Sequence, residues 1–86
     1  MKPITMFMFE ACPHCNRART WMEELKNENP KYQQIDVTMM DEKLQPAIAK
    51  AYDYYYVPTY FIEGVKVHEG PASKEIIKEV FEKACS

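Results

Sequence analysis

The apolar positions of this chain recur with two different spacings, which predict two kinds of element. Runs with extended, strand-like character cover residues 4–9, 32–37, 58–62 and 65–68. Runs in which apolar residues recur with helical spacing cover residues 16–25, 44–52 and 76–84, and this spacing predicts helices with one buried face. The predicted order of elements is therefore β-α-β-α-β-β-α.

The first predicted strand is apolar on both faces, which is typical of a central strand covered on two sides. A strand, a helix and a second strand follow one another within about 35 residues, so we expect these two strands to be parallel with a right-handed crossover. Glu63-Gly64 between the last two strands predicts a tight hairpin, and Ser73 can cap the last helix. The chain is expected to form one α/β domain over residues 1–86.

Composition adds mainly exclusions. Of the 86 residues, 47% are apolar and 28% are charged, with a formal net charge of −2 and no basic block, so a nucleic-acid partner is not expected. The N-terminal apolar run is shorter than the core of a signal peptide and far shorter than a membrane span. We therefore expect a cytoplasmic protein without a membrane partner, in which the three cysteines are catalytic, metal-binding or incidental.

Two of the cysteines form the segment Cys12-Pro13-His14-Cys15, between the first predicted strand and the first predicted helix. A Cys-x-x-Cys pair at such a junction is typical of a thioredoxin-like redox site. At the N-cap of the helix, unpaired N–H groups and the positive end of the helix dipole favour the thiolate form of Cys12, which is the nucleophilic form. Pro13 at the first helical position loses no hydrogen bond, and an N–H of His14 would stabilise the thiolate further.

Cys15 lies one helical turn after Cys12, at a Cα separation of roughly 5–5.5 Å that a disulfide can span. We predict that Cys12 attacks a substrate disulfide and forms a mixed disulfide, which Cys15 resolves to leave a Cys12–Cys15 disulfide. Water, His14 and the released thiolate all stay open as the base for Cys15. A stabilised Cys12 thiolate also predicts a reduction potential less negative than the thioredoxin value of about −270 mV.

Together with Val57-Pro58-Thr59, Gly64 and Gly70, the dithiol segment resembles the thioredoxin fold in its short glutaredoxin-like form over nearly the whole chain. The resemblance implies a four-stranded mixed sheet in the order 2-1-3-4, helices on both faces, and a cis Val57-Pro58 bond. It implies that Val57, Pro58 and Gly70 bind substrate, and that a monomer without a cofactor exchanges disulfides with proteins. A thioredoxin-reductase-like flavoprotein or glutathione would supply the electrons.

The chain departs from the glutaredoxin pattern where those proteins hold glutathione. Phe9 stands where they usually carry a lysine, and residues 68–73 replace a Gly-Gly pair followed by an acidic residue. Pro71 has no backbone N–H to donate to a ligand carboxylate, and Glu69 adds a like charge. Met6 replaces the buried acid of thioredoxins. These departures favour protein disulfides and a flavin reductase, with a glutathione-dependent activity as the alternative.

Two further functions stay open at this stage. Cys12, His14, Cys15 and His68 supply enough ligands for zinc or a shared iron–sulfur cluster, although structural zinc usually needs a second paired motif. A binding module of the same fold without catalysis is the other. We favour the redox interpretation because the paired thiols are retained.

The run Tyr52-Asp53-Tyr54-Tyr55-Tyr56 allows two interpretations. We favour a helix end followed by a loop with rings packed on the surface, since scattered surface aromatics are ordinary. The alternative is an aromatic wall beside the active site. Cys85, next to the C-terminus, is expected to be incidental.

Overall fold

The computed structural model describes residues 1–86 and confirms the predicted order of elements. Four strands form the sheet: β1 Ile4–Met8, β2 Val37–Asp41, β3 Thr59–Ile62 and β4 Val65–Glu69. Three α-helices accompany them: α1 Pro13–Glu28, α2 Pro46–Lys50 and α3 Lys74–Cys85, with a 3₁₀ helix over Pro30–Gln34. No helix combines the length and the apolar character needed to cross a membrane.

The strands lie in the order β2-β1-β3-β4, which confirms the predicted mixed sheet. β1 and β2 are parallel, whereas β1 with β3 and β3 with β4 are antiparallel. The hairpin between β3 and β4 holds Glu63 at φ 50° and Gly64 at φ 82°. Both values lie in the left-handed region, where glycine is at least steric cost, and such paired positive angles are typical of two-residue hairpins.

One face of the sheet carries the main core. α1 buries Cys15, Ala18, Met22 and Leu25, and α3 buries Ile77, Val80, Phe81 and Ala84. These side chains pack on Ile4, Met6 and Met8, which project from β1 toward the same face. On the other face, Phe7 and Phe61 are covered by aromatic rings that follow α2. Helical segments thus lie on both faces, as the resemblance implied.

The second strand differs from its predicted position over residues 32–37. Pro30–Gln34 is a 3₁₀ helix that starts at the Asn29 cap, and β2 begins only at Val37. The apolar signal came from Tyr32 and Ile35, which are 1% exposed because they anchor this turn in the main core. β2 is an edge strand with no fully buried residue, so its own pattern is weak.

The second helix is shorter than the predicted run over residues 44–52. It spans only Pro46–Lys50 and buries no residue. Leu44 is 78% exposed and Ile48 is 40% exposed, so the apolar spacing of this run does not mark a packed face. Pro46 at the first helical position delays the start of the helix. Asp41 caps the preceding turn by accepting hydrogen bonds from the N–H groups of Lys43 and Leu44.

Candidate active site

The dithiol begins in the turn between β1 and α1. Cys12 is the N-cap of α1, with extended backbone angles (φ −74°, ψ 114°), and its sulfur accepts a hydrogen bond from the Cys15 N–H at 3.2 Å. The Cys12 N–H donates to the Phe9 carbonyl at 3.2 Å, which closes the turn. The Cys12 sulfur therefore lies at the positive end of the helix with a backbone donor on it, an arrangement that stabilises negative charge there.

Pro13 and His14 occupy the first turn of α1, and both are exposed. Pro13 stands at N1, where the helix needs no N–H. The His14 ring forms a hydrogen bond along the helix: its Nδ1 lies 2.7 Å from the Arg17 guanidinium. Because a guanidinium only donates, Nδ1 accepts this hydrogen bond and carries no proton. Stabilisation of the thiolate by His14 stays a prediction, and the Cys15 N–H provides the hydrogen bond to the sulfur in this structure.

Cys12 and Cys15 are both buried: Cys12 is 3% exposed, and Cys15 is 0% exposed. Burial raises the pKa of the Cys15 thiol well above its ordinary value, and a hydrogen bond with Cys12 raises it further, with smaller contributions from the charges of Cys12 and Glu42. The Phe9 backbone acts in the opposite direction. Cys15 is therefore held as a protonated thiol at neutral pH.

The segment before β3 lies against the same core. The Val57-Pro58 peptide bond is cis, Pro58 is buried, and Val57 packs against the core cluster that contains both cysteines. The Pro58 carbonyl accepts a hydrogen bond from the Gly70 N–H at 2.9 Å. The backbone N–H and carbonyl of Val57 have no partner within the chain. Val57 thus offers one donor and one acceptor to an outside segment.

Gly70 directly follows β4 and has φ 95°, in the left-handed region that glycine adopts without strain. A Cβ on Gly70 would meet the Tyr56 Cβ at 3.8 Å, an ordinary contact. The backbone angle, rather than lack of space, is therefore what favours glycine here. Its N–H is directed to Pro58, so Gly70 fixes the proline segment from the neighbouring strand.

Comparison with known sequences places this site in a family. The sequence model of the glutaredoxin family matches residues 4–67, which include the dithiol, the cis-proline and the hairpin. The chain belongs to the glutaredoxin family. A protein named thioredoxin from Methanocaldococcus jannaschii is 32% identical over 80 residues, which make up 93% of this chain and 92% of that protein. The family is that of thiol–disulfide oxidoreductases with the thioredoxin fold.

Solved thioredoxins share the fold of this glutaredoxin-family chain. The oxidised thioredoxin of Plasmodium falciparum superposes with a TM-score of 0.72 at 21% identity, over 96% of this chain and 80% of that one. A mutant thioredoxin from Halobacterium salinarum gives a TM-score of 0.70 at 24% identity, over 96% of this chain and 74% of that one. At these identities the likeness shows the fold alone, and it confirms the predicted strand order.

Glu69 holds the loop that leads to the cis-proline, a role that sequence reasoning missed. Its carboxylate accepts hydrogen bonds from the N–H groups of Tyr55 at 2.6 Å and Tyr56 at 3.0 Å, and from the Lys66 ammonium at 2.7 Å. The Lys66 hydrogen bond and then the two backbone donors lower the pKa of Glu69 to about 2. We call this arrangement the Glu69 clamp. Its two backbone partners are 13 and 14 residues away in sequence, so no periodic pattern predicts these contacts.

The tyrosine run divides between the two interpretations. The rings of Tyr52 and Tyr54 lie 4.7 Å and 4.9 Å from the Phe7 ring and cover the second face of the sheet. The Tyr54 hydroxyl donates to Glu42 at 2.7 Å. Tyr55 and Tyr56 are 86% and 69% exposed, directly before Val57. Two rings therefore complete the fold, and two stand free beside the proline segment.

The histidines and cysteines named as possible metal ligands are not assembled. His14 pairs with Arg17, and the His68 Nε2 lies 3.0 Å from the Gly70 carbonyl and 3.2 Å from the Pro71 carbonyl. No group of three or more His, Cys, Asp or Glu side chains is placed to hold a metal ion.

Proposed function

We propose that this protein is a dithiol–disulfide oxidoreductase that exchanges a Cys12–Cys15 disulfide with protein disulfides. The observation that carries the proposal is the asymmetry of the pair. The Cys12 sulfur caps α1 and accepts the Cys15 N–H, while the Cys15 sulfur is buried and held as a thiol. One sulfur is thus prepared to attack, and the other is kept protonated until it is needed.

In the forward exchange, the Cys12 thiolate attacks one sulfur of the substrate disulfide. The substrate S–S bond breaks, its electron pair leaves with the second substrate sulfur, and a mixed disulfide with Cys12 remains. Cys15 then loses its proton to solvent and attacks the Cys12 sulfur. The mixed disulfide breaks, the first substrate sulfur departs as a thiolate, and the substrate is reduced while the protein holds the Cys12–Cys15 disulfide.

Val57, Pro58 and Gly70 form the surface that we assign to substrate binding. The Val57 N–H and carbonyl lack partners within the chain, so an extended substrate segment can pair with them as an added strand. Gly70 holds Pro58 in place through its N–H. A backbone-directed contact of this kind suits protein substrates of varied sequence, and it needs neither a cofactor nor a second copy of the chain. Pro13 and His14 border the nucleophile and are assigned to stabilising its thiolate.

For the reductant, we propose a flavoprotein of the thioredoxin-reductase type. Pro71 lacks the backbone N–H that would bind a glutathione carboxylate. The Glu69 carboxylate, two residues earlier in the chain, is negative and already accepts hydrogen bonds from Tyr55, Tyr56 and Lys66. Glutathione is the second candidate because the family model that matches is that of glutaredoxins. We place the exchange in the cytoplasm, where thiols are kept reduced.

Reduction of insulin disulfides tests the proposed activity. Wild type and Cys85→Ser should reduce insulin at the same rate, because Cys85 lies outside the dithiol. Cys12→Ser should lose the activity, because no other thiol caps α1. Unchanged activity in Cys12→Ser would show that the dithiol is not the reacting group.

Recycling of the oxidised protein separates the two reductants. A thioredoxin reductase with its nicotinamide donor should reduce the Cys12–Cys15 disulfide faster than glutathione with glutathione reductase does. Rapid turnover with glutathione would overturn the preference for a flavoprotein and leave the exchange activity itself intact. The same samples, equilibrated with a redox buffer, should give a potential less negative than about −270 mV.

A further inference from the structure

Tyr60 in β3 carries the one buried side-chain oxygen or nitrogen of the chain that has no hydrogen-bond partner. The residue is 0% exposed, and its hydroxyl makes no hydrogen bond. An unpaired hydroxyl in a core lowers the stability of the folded chain. Phenylalanine would fill nearly the same space without this penalty. The hydroxyl therefore needs an explanation other than packing.

The surroundings of Tyr60 supply one. The β1–β3 register pairs Tyr60 with Met6, and both belong to the buried cluster that contains Cys12 and Cys15. Burial raises the pKa of the Tyr60 hydroxyl above its ordinary value, and the charge of Cys15 raises it further. Cys15 is the only ionisable group that contributes to this shift. The free donor and the resolving sulfur thus lie in one buried cluster, on the face of the sheet that α1 covers.

We propose that the Tyr60 hydroxyl donates a hydrogen bond to the Cys15 sulfur when that sulfur becomes a thiolate. The inference rests on the proposed function and specifies its second step. The Cys15 S–H bond breaks and the proton goes to solvent. The electron pair left on sulfur forms the bond to Cys12, and the pair of the mixed disulfide leaves with the substrate sulfur. Tyr60 keeps its proton throughout.

Tyr60 is a donor in this step and not a base. Its raised pKa keeps the phenol protonated at neutral pH, so it cannot accept the Cys15 proton. A protonated thiol gains little stability from accepting a hydrogen bond. This agrees with the Tyr60 hydroxyl making no hydrogen bond in the reduced protein. A thiolate in a buried site needs a donor strongly, and hydrogen bonds at reacting groups often form only along the reaction.

The other groups that affect Cys15 cannot supply a new hydrogen bond to its thiolate in this step. Its pKa is also affected by the charges of Cys12 and Glu42 and by the Phe9 backbone. Cys12 is bonded to substrate at this stage, and the negative charge of Glu42 disfavours a second negative charge on Cys15. The Phe9 backbone favours the thiolate already and is common to every variant. The Tyr60 hydroxyl is the donor that a single side-chain substitution can remove while the other groups around Cys15 stay in place.

The reaction with the aromatic disulfide of Ellman's reagent separates the two steps. In a Cys85→Ser background, attack by Cys12 releases the first coloured thiolate, and resolution by Cys15 releases the second. Stopped-flow absorbance should give two phases. Tyr60→Phe should slow the second phase about tenfold or more, since it loses a hydrogen bond to a charged group. Its first phase should stay within about twofold of wild type, and its thermal midpoint should be equal or higher.

Tyr32→Phe is the matched control, because Tyr32 is also a buried tyrosine but donates its hydroxyl to Glu82. Both of its phases should match wild type. A second phase in Tyr60→Phe within twofold of Tyr32→Phe overturns the inference, and so does equal slowing of both phases. If wild type releases no second thiolate, the resolving role of Cys15 fails, and the proposed function fails with it.

Discussion

At the scale of single residues, two cysteines three positions apart take different places in the hydrogen bonding of α1. The Cys12 sulfur caps α1 and accepts the Cys15 N–H at 3.2 Å. The Cys15 sulfur has no exposure, and burial and Cys12 raise its pKa. In the proposed function, this difference is why Cys12 attacks first and Cys15 second, because only a thiolate attacks. The sequence identifies the pair, whereas the asymmetry requires the packed core.

The raised pKa of Cys15 predicts the pH dependence of resolution. Below that pKa, the thiolate fraction grows about tenfold per pH unit, so the second phase with Ellman's reagent should accelerate in proportion between about pH 6 and 9. Stopped-flow rates in the Cys85→Ser background measure this slope directly. A plateau of the second phase below about pH 8 would contradict a Cys15 held as a thiol.

The Glu69 clamp predicts local order at the proline segment. Glu69→Gln should speed amide hydrogen exchange at Tyr55 and Tyr56, because a neutral amide accepts their N–H groups more weakly than a carboxylate does. NMR-detected exchange measures both amides. Glu79→Gln on the exposed face of α3 is the control, since Glu79 has no ion-pair partner. Unchanged exchange in Glu69→Gln would show that the clamp does not order the loop.

The Glu69 carboxylate also predicts how the stability of the folded chain changes at acid pH. The pKa of Glu69 is about 2 in the folded chain against an ordinary 4.5. A lowered folded pKa stabilises the native state at every pH above the unfolded value, and this contribution is lost as the pH falls through the folded value. The thermal midpoint of wild type should exceed that of Glu69→Gln above about pH 5 and converge with it between about pH 4.5 and 2. A constant difference down to pH 2 would contradict the assignment.

At the scale of elements, helical spacing has two outcomes in this chain. α1 and α3 turn their apolar stripes toward β1 and β3, and the dithiol at the start of α1 is fixed by that packing. α2 has the same spacing but buries no residue. Spacing reports which residues share a face and not whether a partner covers that face. β2 begins later in the chain than predicted for a related reason. Tyr32 and Ile35 are buried, but they lie in the 3₁₀ helix and at its end rather than in a strand.

Two leucine truncations measure this difference between elements. Leu25→Ala in α1 should lower the free energy of unfolding by about 2–5 kcal/mol, because it leaves a cavity in the main core. Leu44→Ala before α2 should change it by less than about 0.5 kcal/mol. Leu25 is 4% exposed and Leu44 is 78% exposed. Chemical denaturation with a common slope measures both, and similar losses would contradict the exposed state of Leu44.

At the scale of the whole molecule, the order of elements and the dithiol could be predicted from sequence, because strands, helical stripes and turn residues are local signals. The crossover rule predicted the parallel pairing of the first two strands, whereas the strand order 2-1-3-4 was implied by the family resemblance. The Glu69 clamp and the unpaired Tyr60 hydroxyl could not be predicted. Each depends on which side chains meet across the sheet or between a strand and a distant loop. The spacing of residues along the chain does not predict such side-chain contacts.

The central claim is that Cys12 attacks and Cys15 resolves, and trapping of the mixed disulfide tests it most directly. Cys15→Ser in a Cys85→Ser background should accumulate a covalent adduct with a disulfide-containing protein, because the resolving thiol is absent. Intact-mass and peptide analysis should place that adduct on Cys12, and a reductant should release it. The account is contradicted if no adduct forms, or if the variant turns over its substrate as fast as the chain that retains Cys15.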